Sequence, residues 1–364
     1  MTYLLLNRAF DNFGDYLIFE RAEKIIKHEV KGIDLIYANA SISLDKQLSE
    51  NDYCELNGVI LPGGPGIRNK LFPKVYPLSK RIFEKNIPIY FMGVGSKFFM
   101  NLNKKKSFDK KSMDFLKYVT SHGPIGCRDE FTSKYLQDMG FDSVMNGCPA
   151  WYDLEYFGKR IKTTKNIKNI LVSVPGSDIF FNQFTYLLTN IIEKYPECTF
   201  YVSFNHGFKN DRFKKLKSRL NGLNIHFLDM SCGTNRAFEY DKMDLHIGYR
   251  VHTHIYFLSH RKPSVILAED SRGVGVMDVL ETPGFMCWDD KDPVILPKCM
   301  VNRFLGHDVF NVNGKTDNVE ILKFLMDSIE ELNSDNYSTY NKVFDKMEKI
   351  YHSSMKPYVQ TYIL

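Results

Sequence analysis

The sequence predicts an α/β protein built of two parallel-sheet domains that face each other across a cleft. Three observations predict it. Short apolar runs alternate with segments of helical spacing along most of the chain. Glycines and polar residues recur at the carboxyl ends of the apolar runs, where an open parallel sheet places its ligand crevice. A basic, polar stretch at 156–169 has no apolar period and separates one such series from a second. The 364 residues are also long for a single core and comfortable for two.

In the first series, residues 3–7 read as a strand, Asp11-Asn12-Phe13-Gly14-Asp15 as a turn, and 16–28 as a helix with apolar residues at Leu17, Ile18, Ala22, Ile25 and Ile26. The new helix terminus offers free N–H groups to an anion or a hydroxyl. The plainer alternative is a capped βα turn. Strands follow at 35–37 and 58–61, the latter running into Pro62-Gly63-Gly64-Pro65-Gly66. Backbone can come close to a ligand or another loop there, although neither a Walker nor a GxGxxG pattern is present. A helix at 77–86, a strand at 87–92 ending in Gly93-Val94-Gly95-Ser96, and a helix at 110–119 come next. A short strand at 125–129 leaves Arg128 at its tip, a helix at 130–139 is closed by Gly140, and 143–147 is the last strand.

The second series has strands at 170–174, 199–204, 225–228, 245–247 and 264–267, and helices at 182–195, 211–219, 236–243 and 251–258. Two helices, 319–333 and 337–351, complete the chain. The expected division is 1–157, 168–315 and terminal helices in 316–364.

Composition narrows the function. Hydrophobic residues at 44% and charged residues at 25% belong to a globular chain. The formal net charge of +5 comes from local runs at 104–111, 159–168 and 209–219. These read as solvated faces, or as a weak attraction to anionic substrates or an anionic membrane surface. No aromatic-basic interleaving points to nucleic acid. Seven cysteines (Cys54, Cys127, Cys148, Cys198, Cys232, Cys287 and Cys299) form no CxxC pair, which argues against a disulfide framework or a zinc site and fits a reducing cytoplasm. The N-terminal apolar run is short for a signal peptide, and no window reaches membrane-spanning length. The expectation is a cytoplasmic protein, at most peripheral to a membrane.

The richest stretch is 247–276. Arg250 and His252 lie two apart where a strand passes into a helix. Arginine gives a planar fork for carboxylate or phosphate, histidine moves protons near neutral pH, and a helix N-terminus adds partial positive charge. The alternative is an arginine paired with a carboxylate beside a packing histidine. His254 makes an HxH pattern, but no further ligand completes a metal site. His246, His260 and Arg261 read as structural or surface residues. Glu269-Asp270-Ser271-Arg272-Gly273 again points a strand end into the crevice. There Arg272 takes a second anion, or Asp270 and Arg272 bridge within one loop. No GxSxG elbow is present.

Taken in order, NFGD (Asn12 to Asp15), PGGPG (Pro62 to Gly66), GVGS (Gly93 to Ser96), CRDEFTSKYLQDMGF (Cys127 to Phe141) and GYRVHTHIYFLSHRKPSV (Gly248 to Val265) resemble the polysaccharide pyruvyl transferase family, over about Leu4 to Leu280. The family is similar in fold to GT-B glycosyltransferases, with two Rossmann-like domains and the site between them. The resemblance implies transfer of pyruvate from phosphoenolpyruvate to a sugar, often as a ketal. It places Arg128, Arg250, Val251, His252 and Arg272 on phosphoenolpyruvate, with Arg250 and His252 catalytic and His252 the acid/base. It places Asn12, Asp15, Gly63, Gly64 and Gly95 on the acceptor side, in the N-terminal domain. The chain departs from many relatives at Asn146-Gly147-Cys148-Pro149-Ala150, where they carry an aspartate.

The implied chemistry needs no metal and no cofactor beyond the donor. The implied partners are phosphoenolpyruvate and a glycan precursor that is lipid- or nucleotide-linked, with no nucleic acid. Two alternatives stand beside it: a GT-B glycosyltransferase using a nucleotide sugar, and a non-catalytic glycan-binding relative.

Overall fold

Strand β1 (Thr2–Asn7) shows why the first sheet is buried on both faces. Tyr3 and Leu5 join one apolar cluster while Leu4 and Leu6 join another. The two-residue period of a strand sends alternate side chains to opposite faces, and a sheet covered on both faces needs near-continuous apolar strands. In the computed structural model, which describes residues 1–96, 107–161, 167–207, 211–287, 318–334 and 338–363, β1 pairs in parallel with β2 (Asp34–Asn39) and β3 (Leu56–Pro62). With β4 (Ile89–Met92) the order is β2-β1-β3-β4. Strands β5 (Ile125–Cys127) and β6 (Ser143–Met145) form their own parallel pair. A bridge between Val94 and Cys127 carries the pairing on from the end of β4.

The second sheet contains β7 (Asn169–Ser173), β8 (Thr199–Phe204), β9 (Ile225–Asp229), β10 (Leu245–Gly248), β11 (Ser264–Ala268) and β12 (Gly284–Met286). It is parallel, in the order β12-β11-β10-β7-β8-β9. The order reverses between β10 and β7, and in the first sheet between β1 and β3. Such switch points open the crevice in which α/β sheets bind ligands. The residues that follow these strands are Arg8, the Gly63-Gly64 turn, Val174 to Ser177, and Arg250.

Helices cover the sheets: α1 (Phe13–Glu29), α2 (Glu50–Glu55), α3 (Lys80–Glu84), α4 (Lys110–Thr120), α5 (Glu130–Asp138), α6 (Phe181–Lys194), α7 (Asp211–Arg219), α8 (Phe238–Asp241), α9 (Val251–Ser259) and α10 (Ser271–Leu280). Helices Asn318–Ser334 and Ser338–Ile350 follow, the second continuing through a wider turn into Lys356–Tyr362. This last segment crosses to the first domain. The Tyr351 hydroxyl and the Gln360 amide donate to Glu29, Tyr358 to the Pro124 carbonyl, and Ser354 to the Met145 carbonyl. Arg261 meanwhile pairs with Glu348 from the second domain. One apolar cluster runs through α1, the turn at Ala150 and Trp151, the second sheet and the terminal helices.

Several elements differ from the sequence reading. Helix α1 starts three residues early because Asn12 caps it, its side chain accepting from the Gly14 N–H. Helix α3 begins only after Ser79, whose hydroxyl caps it, so Pro77 and Leu78 lie outside. The helix expected at 236–243 is confined to Phe238–Asp241. Short α2, strand β12 and helix α10 were not expected, and the strand at 143–147 ends at Met145. Lys104 to Lys106, Lys162, Lys165, Lys209, Cys299, Tyr337, part of the linker and the end of the 168–315 unit lie outside the described residues. Among the described residues no helix is long and apolar enough to cross a membrane.

Candidate active site

The site starts at the end of β10. Gly248 has φ +146°, and a Cβ there would lie 2.6 Å from the Ser173 carbonyl oxygen. Only glycine lets β10 approach β7 so closely. The Arg250 N–H donates to Ser173 Oγ at 3.0 Å, which fixes Arg250 as the N-cap of α9. His252 therefore sits in the first turn of α9, half-buried.

His252 crosses to the other domain and lies on Gly14. A Cβ at Gly14 would come 2.1 Å from His252 Nδ1 and 2.5 Å from its Cγ. The N-termini of α1 and α9 thus meet, tied by Asn205. Its carbonyl accepts from the Phe13 N–H at 3.0 Å, and its amide donates to Thr253 Oγ1 at 2.8 Å. The Cys232 N–H donates to the Asp11 carbonyl at 3.2 Å, and the Phe13 ring packs edge-on against Tyr240 and Tyr256.

Two arginines flank this contact, each held by the acidic residue that caps a helix. Arg128 is 2% exposed, and its Nε and Nη2 both donate to Asp129 Oδ2, at 3.0 and 2.8 Å. Asp129 Oδ1 caps α5 through the Thr132 N–H at 2.8 Å. Gly95 makes room for the guanidinium, since a Cβ there would sit 2.3 Å from Arg128 Cζ. Arg272 repeats the scheme on Asp270, with Nη2 to Oδ2 at 2.7 Å, and Asp270 caps α10. A Cβ at Gly275 of α10 would lie 3.2 Å from Asp129, so the two arrangements adjoin. A guanidinium has five N–H donors, so the carboxylate pair does not use up either fork. The intraloop Asp270–Arg272 bridge considered above is therefore present, without closing Arg272 to a ligand.

These charges act on the histidine. Burial first, then Arg272 and Arg128, push the His252 imidazole down to about 3, so it is neutral near pH 7. Asp15, half-buried beside it on α1, is raised by burial, with Arg8 and Arg272 opposing and Asp11 adding. Arg250 stands one strand end away. Its Nη2 donates to the Pro175 carbonyl at 3.2 Å, and a Cβ at Gly176 would lie 3.0 Å from its Nη1. Glu269 Oε2 accepts from the Gly176 and Ser177 N–H groups at 2.8 and 3.1 Å. Its carboxyl is raised by burial against the pull of Arg250.

The structure brings Asn12, Asp15, Arg128, His252 and Arg272 to one place, with Arg250 and Val251 at its edge on the α9 cap. Gly63 packs on Ile18, with a Cβ distance of 2.6 Å, while Gly64 at φ +74° faces open space. The two glycine turns also bond each other, the Gly95 N–H donating to the Gly64 carbonyl at 2.9 Å. His254 points elsewhere. Two residues along a helix is more than half a turn, and His254 Nδ1 and His246 Nδ1 both bond Ser264 Oγ at 2.6 Å in the core. His260 stacks on Tyr256 at 3.9 Å. Among the described residues no group of three His, Cys, Asp or Glu side chains is arranged to hold a metal ion. Sequence reasoning missed Gly14, Asp129, Glu269 and Asn205. The first three lay inside or beside motifs already singled out, whereas nothing local distinguished Asn205.

The family model described as polysaccharide pyruvyl transferase matches residues 12–271. The chain belongs to this family. As a polysaccharide pyruvyl transferase family member it is a transferase enzyme, and the matched span contains Asn12, Asp15, Arg128, Arg250 and His252, with Arg272 one residue beyond it. No curated protein matches the sequence. Solved structures give the fold. UDP-GlcNAc 2-epimerase from Neisseria meningitidis, bound to UDP-GlcNAc, is 10% identical with a TM-score of 0.53, the match covering 100% of this chain and 98% of that one. S. aureus MnaA with UDP is 12% identical with a TM-score of 0.52, covering 91% and 96%. These similarities establish the GT-B-like arrangement of two facing Rossmann-like domains.

Proposed function

We propose that the enzyme transfers pyruvate from phosphoenolpyruvate to hydroxyls of a cell-surface polysaccharide precursor, as a ketal. The observation that carries this reading is the seating of His252 on Gly14 between Arg128 and Arg272. Phosphoenolpyruvate bears a carboxylate and a phosphate, and the site meets them with cations from both domains. The N-termini of α1, α5, α9 and α10 add partial positive charge beside them. Arg128 and Arg272 with Arg250 hold the donor in this reading, and the α1 turn with Asn12, Asp15 and the Gly63-Gly64 and Gly95 turns faces the acceptor.

In the reaction, His252 takes up a proton as the dianionic phosphate and carboxylate offset the two arginines. It passes that proton to the methylene carbon, leaving C2 electron-poor. A glycan hydroxyl attacks C2, its proton returns to His252, and a C–O bond forms. The bond from C2 to the phosphate oxygen breaks. A second hydroxyl then closes the ketal, its proton leaving on inorganic phosphate. A positioned acid/base is worth about 10²–10⁴-fold in such steps, and fixed positive charge adds to it without reorganisation. The test is phosphate release from phosphoenolpyruvate with candidate glycan precursors. Acceptor-dependent release by the parent, lost in His252→Ala, supports the reading, and release of a nucleotide from a nucleotide sugar in its place refutes it.

A further inference from the structure

Glu269 is a buried carboxylate that the reaction above does not use. It follows β11 directly and is 5% exposed. Its two oxygens have different neighbours. Oε2 pins the turn after β7, accepting from the Gly176 and Ser177 N–H groups at 2.8 and 3.1 Å. Oε1 faces the donor arginines. It lies 4.0 Å from Arg272 Nη2, beyond hydrogen-bond length. A Cβ at Gly176 would lie 2.5 Å from this oxygen and 3.0 Å from Arg250 Nη1, so the Arg250 guanidinium is its neighbour too. Asp129 and Asp270, by contrast, each grip an arginine directly, at 2.8 and 2.7 Å.

Pinning a turn needs only an acceptor oxygen, which a neutral amide would supply. A carboxylate brings charge as well, and at this depth the charge is costly. Burial works against it, Arg250 and Arg272 support it, and Asp270 opposes it. The effect on a ligand follows from Coulomb's law. Arg250 and Arg272 draw an anion in, and the negative charge between them pushes it away. Arg128 stands with Asp129, Arg272 with Asp270, and Arg250 with Glu269, so these charges cancel before any ligand arrives. A site balanced in this way takes up an anionic donor without holding an anionic product fast. Release of product limits turnover in many enzymes, and transfer from phosphoenolpyruvate leaves inorganic phosphate on the arginines.

We propose that Glu269 drives inorganic phosphate out after the transfer, its Oε1 charge weakening the hold of Arg250 and Arg272 on an anion. This rests on the pyruvyl-transfer reading, which puts the donor among these arginines. The sign of the effect separates this role from a structural one. A residue that only kept the turn and the arginines in place would, when lost, loosen anion binding. Loss of the Glu269 charge tightens it.

The experiment is calorimetric titration of the full chain at about pH 8 with inorganic phosphate and with phosphoenolpyruvate, in the parent, Glu269→Gln and Glu269→Asp. Thermal melts and steady-state kinetics accompany it. Glutamine keeps an oxygen for the turn and removes the charge, whereas aspartate keeps the charge. The expected result is phosphate binding at least tenfold tighter in Glu269→Gln, with a matching fall in the phosphate inhibition constant and a lower kcat. Phosphate affinity in Glu269→Asp stays within threefold of the parent. Phosphate bound equally or more weakly by folded Glu269→Gln, in a chain whose parent binds phosphoenolpyruvate, overturns the role of Glu269 and leaves the donor reading standing. Phosphate bound more tightly by Glu269→Gln, in a chain whose parent binds no phosphoenolpyruvate, keeps the charge effect and sinks the donor reading. Should Glu269→Gln not fold, the parent decides. Phosphate held at least tenfold more weakly than phosphoenolpyruvate upholds the proposal, and phosphate held as tightly overturns it.

Discussion

Replacing Gly14 with alanine tests the contact on which the two domains meet. The new Cβ would lie 2.1 Å from His252 Nδ1, 2.5 Å from Cγ and 2.9 Å from Cβ. Ordinary contact is about 3.5 Å, so the imidazole must retreat by roughly 1.4 Å. A displacement of about 1 Å in a catalytic group costs on the order of 10²-fold in rate, or about 2.7 kcal/mol of barrier. The loss of stability is at most about 3 kcal/mol. Overpacking costs about 1–3 kcal/mol, and alanine returns up to about 1 kcal/mol over glycine within a helix. A domain stable by about 5–15 kcal/mol stays folded. The assay is acceptor-dependent phosphate release, with kcat and KM for phosphoenolpyruvate measured separately and a thermal melt alongside. The expected outcome is a kcat fall of about 100-fold in Gly14→Ala, and almost no further fall when the same change is made in His252→Ala. A folded Gly14→Ala protein with kcat within twofold of the parent refutes the role given to this contact.

Other consequences can be measured with the same protein. His252→Gln is expected to lower kcat by about 10²–10⁴-fold with little change in donor affinity, read by steady-state kinetics. Removing Arg128 strands the buried Asp129 carboxylate, so Arg128→Ala is expected to lose about 3–5 kcal/mol of stability in a denaturant melt. Gly95→Ala, whose Cβ would meet the Arg128 guanidinium at 2.3 Å, is expected to weaken phosphoenolpyruvate binding at smaller cost to the melt. Burial holds His246, His252 and His254 below the ordinary imidazole range, the latter two at about 3. Groups depressed on folding contribute stability above their unfolded pKa of about 6.5 and lose it as pH falls from there toward the folded value. The melting temperature is therefore expected to drop on acidification below about pH 6.5, with the raised carboxyls of Asp15 and Glu269 offsetting part of the loss.

Much of this was legible in the residues. Buried parallel strands read as apolar runs, and β3, β10 and β11 were placed from that signal within one or two residues, because both faces of each are covered. Arg250, His252 and Arg272 stood out because charge at the end of a buried strand must be met by something. Other features depended on tertiary context. Gly14 looks like a turn residue until a histidine 238 positions later in the sequence lies on it. Gly95 reads as a loop glycine, yet its lack of a side chain is what admits the Arg128 guanidinium. Helix α10 was hidden by Gly273 and Gly275, poor helix formers that let the helix pack on Ala268 and Asp129. The shortened α3 followed from Ser79 capping its N-terminus later than the apolar spacing suggested.

The donor site can be tested directly by titrating phosphoenolpyruvate into the protein in two buffers of different ionisation enthalpy, with Arg128→Lys, Arg250→Ala, Arg272→Ala and His252→Gln beside the parent. Binding that takes up a proton through His252, loses that uptake in His252→Gln and weakens at least tenfold on loss of each arginine, about 1.4 kcal/mol apiece, is the predicted result. Binding of equal strength in all five proteins, or none in the folded parent, would contradict a doubly charged donor held between the two domains.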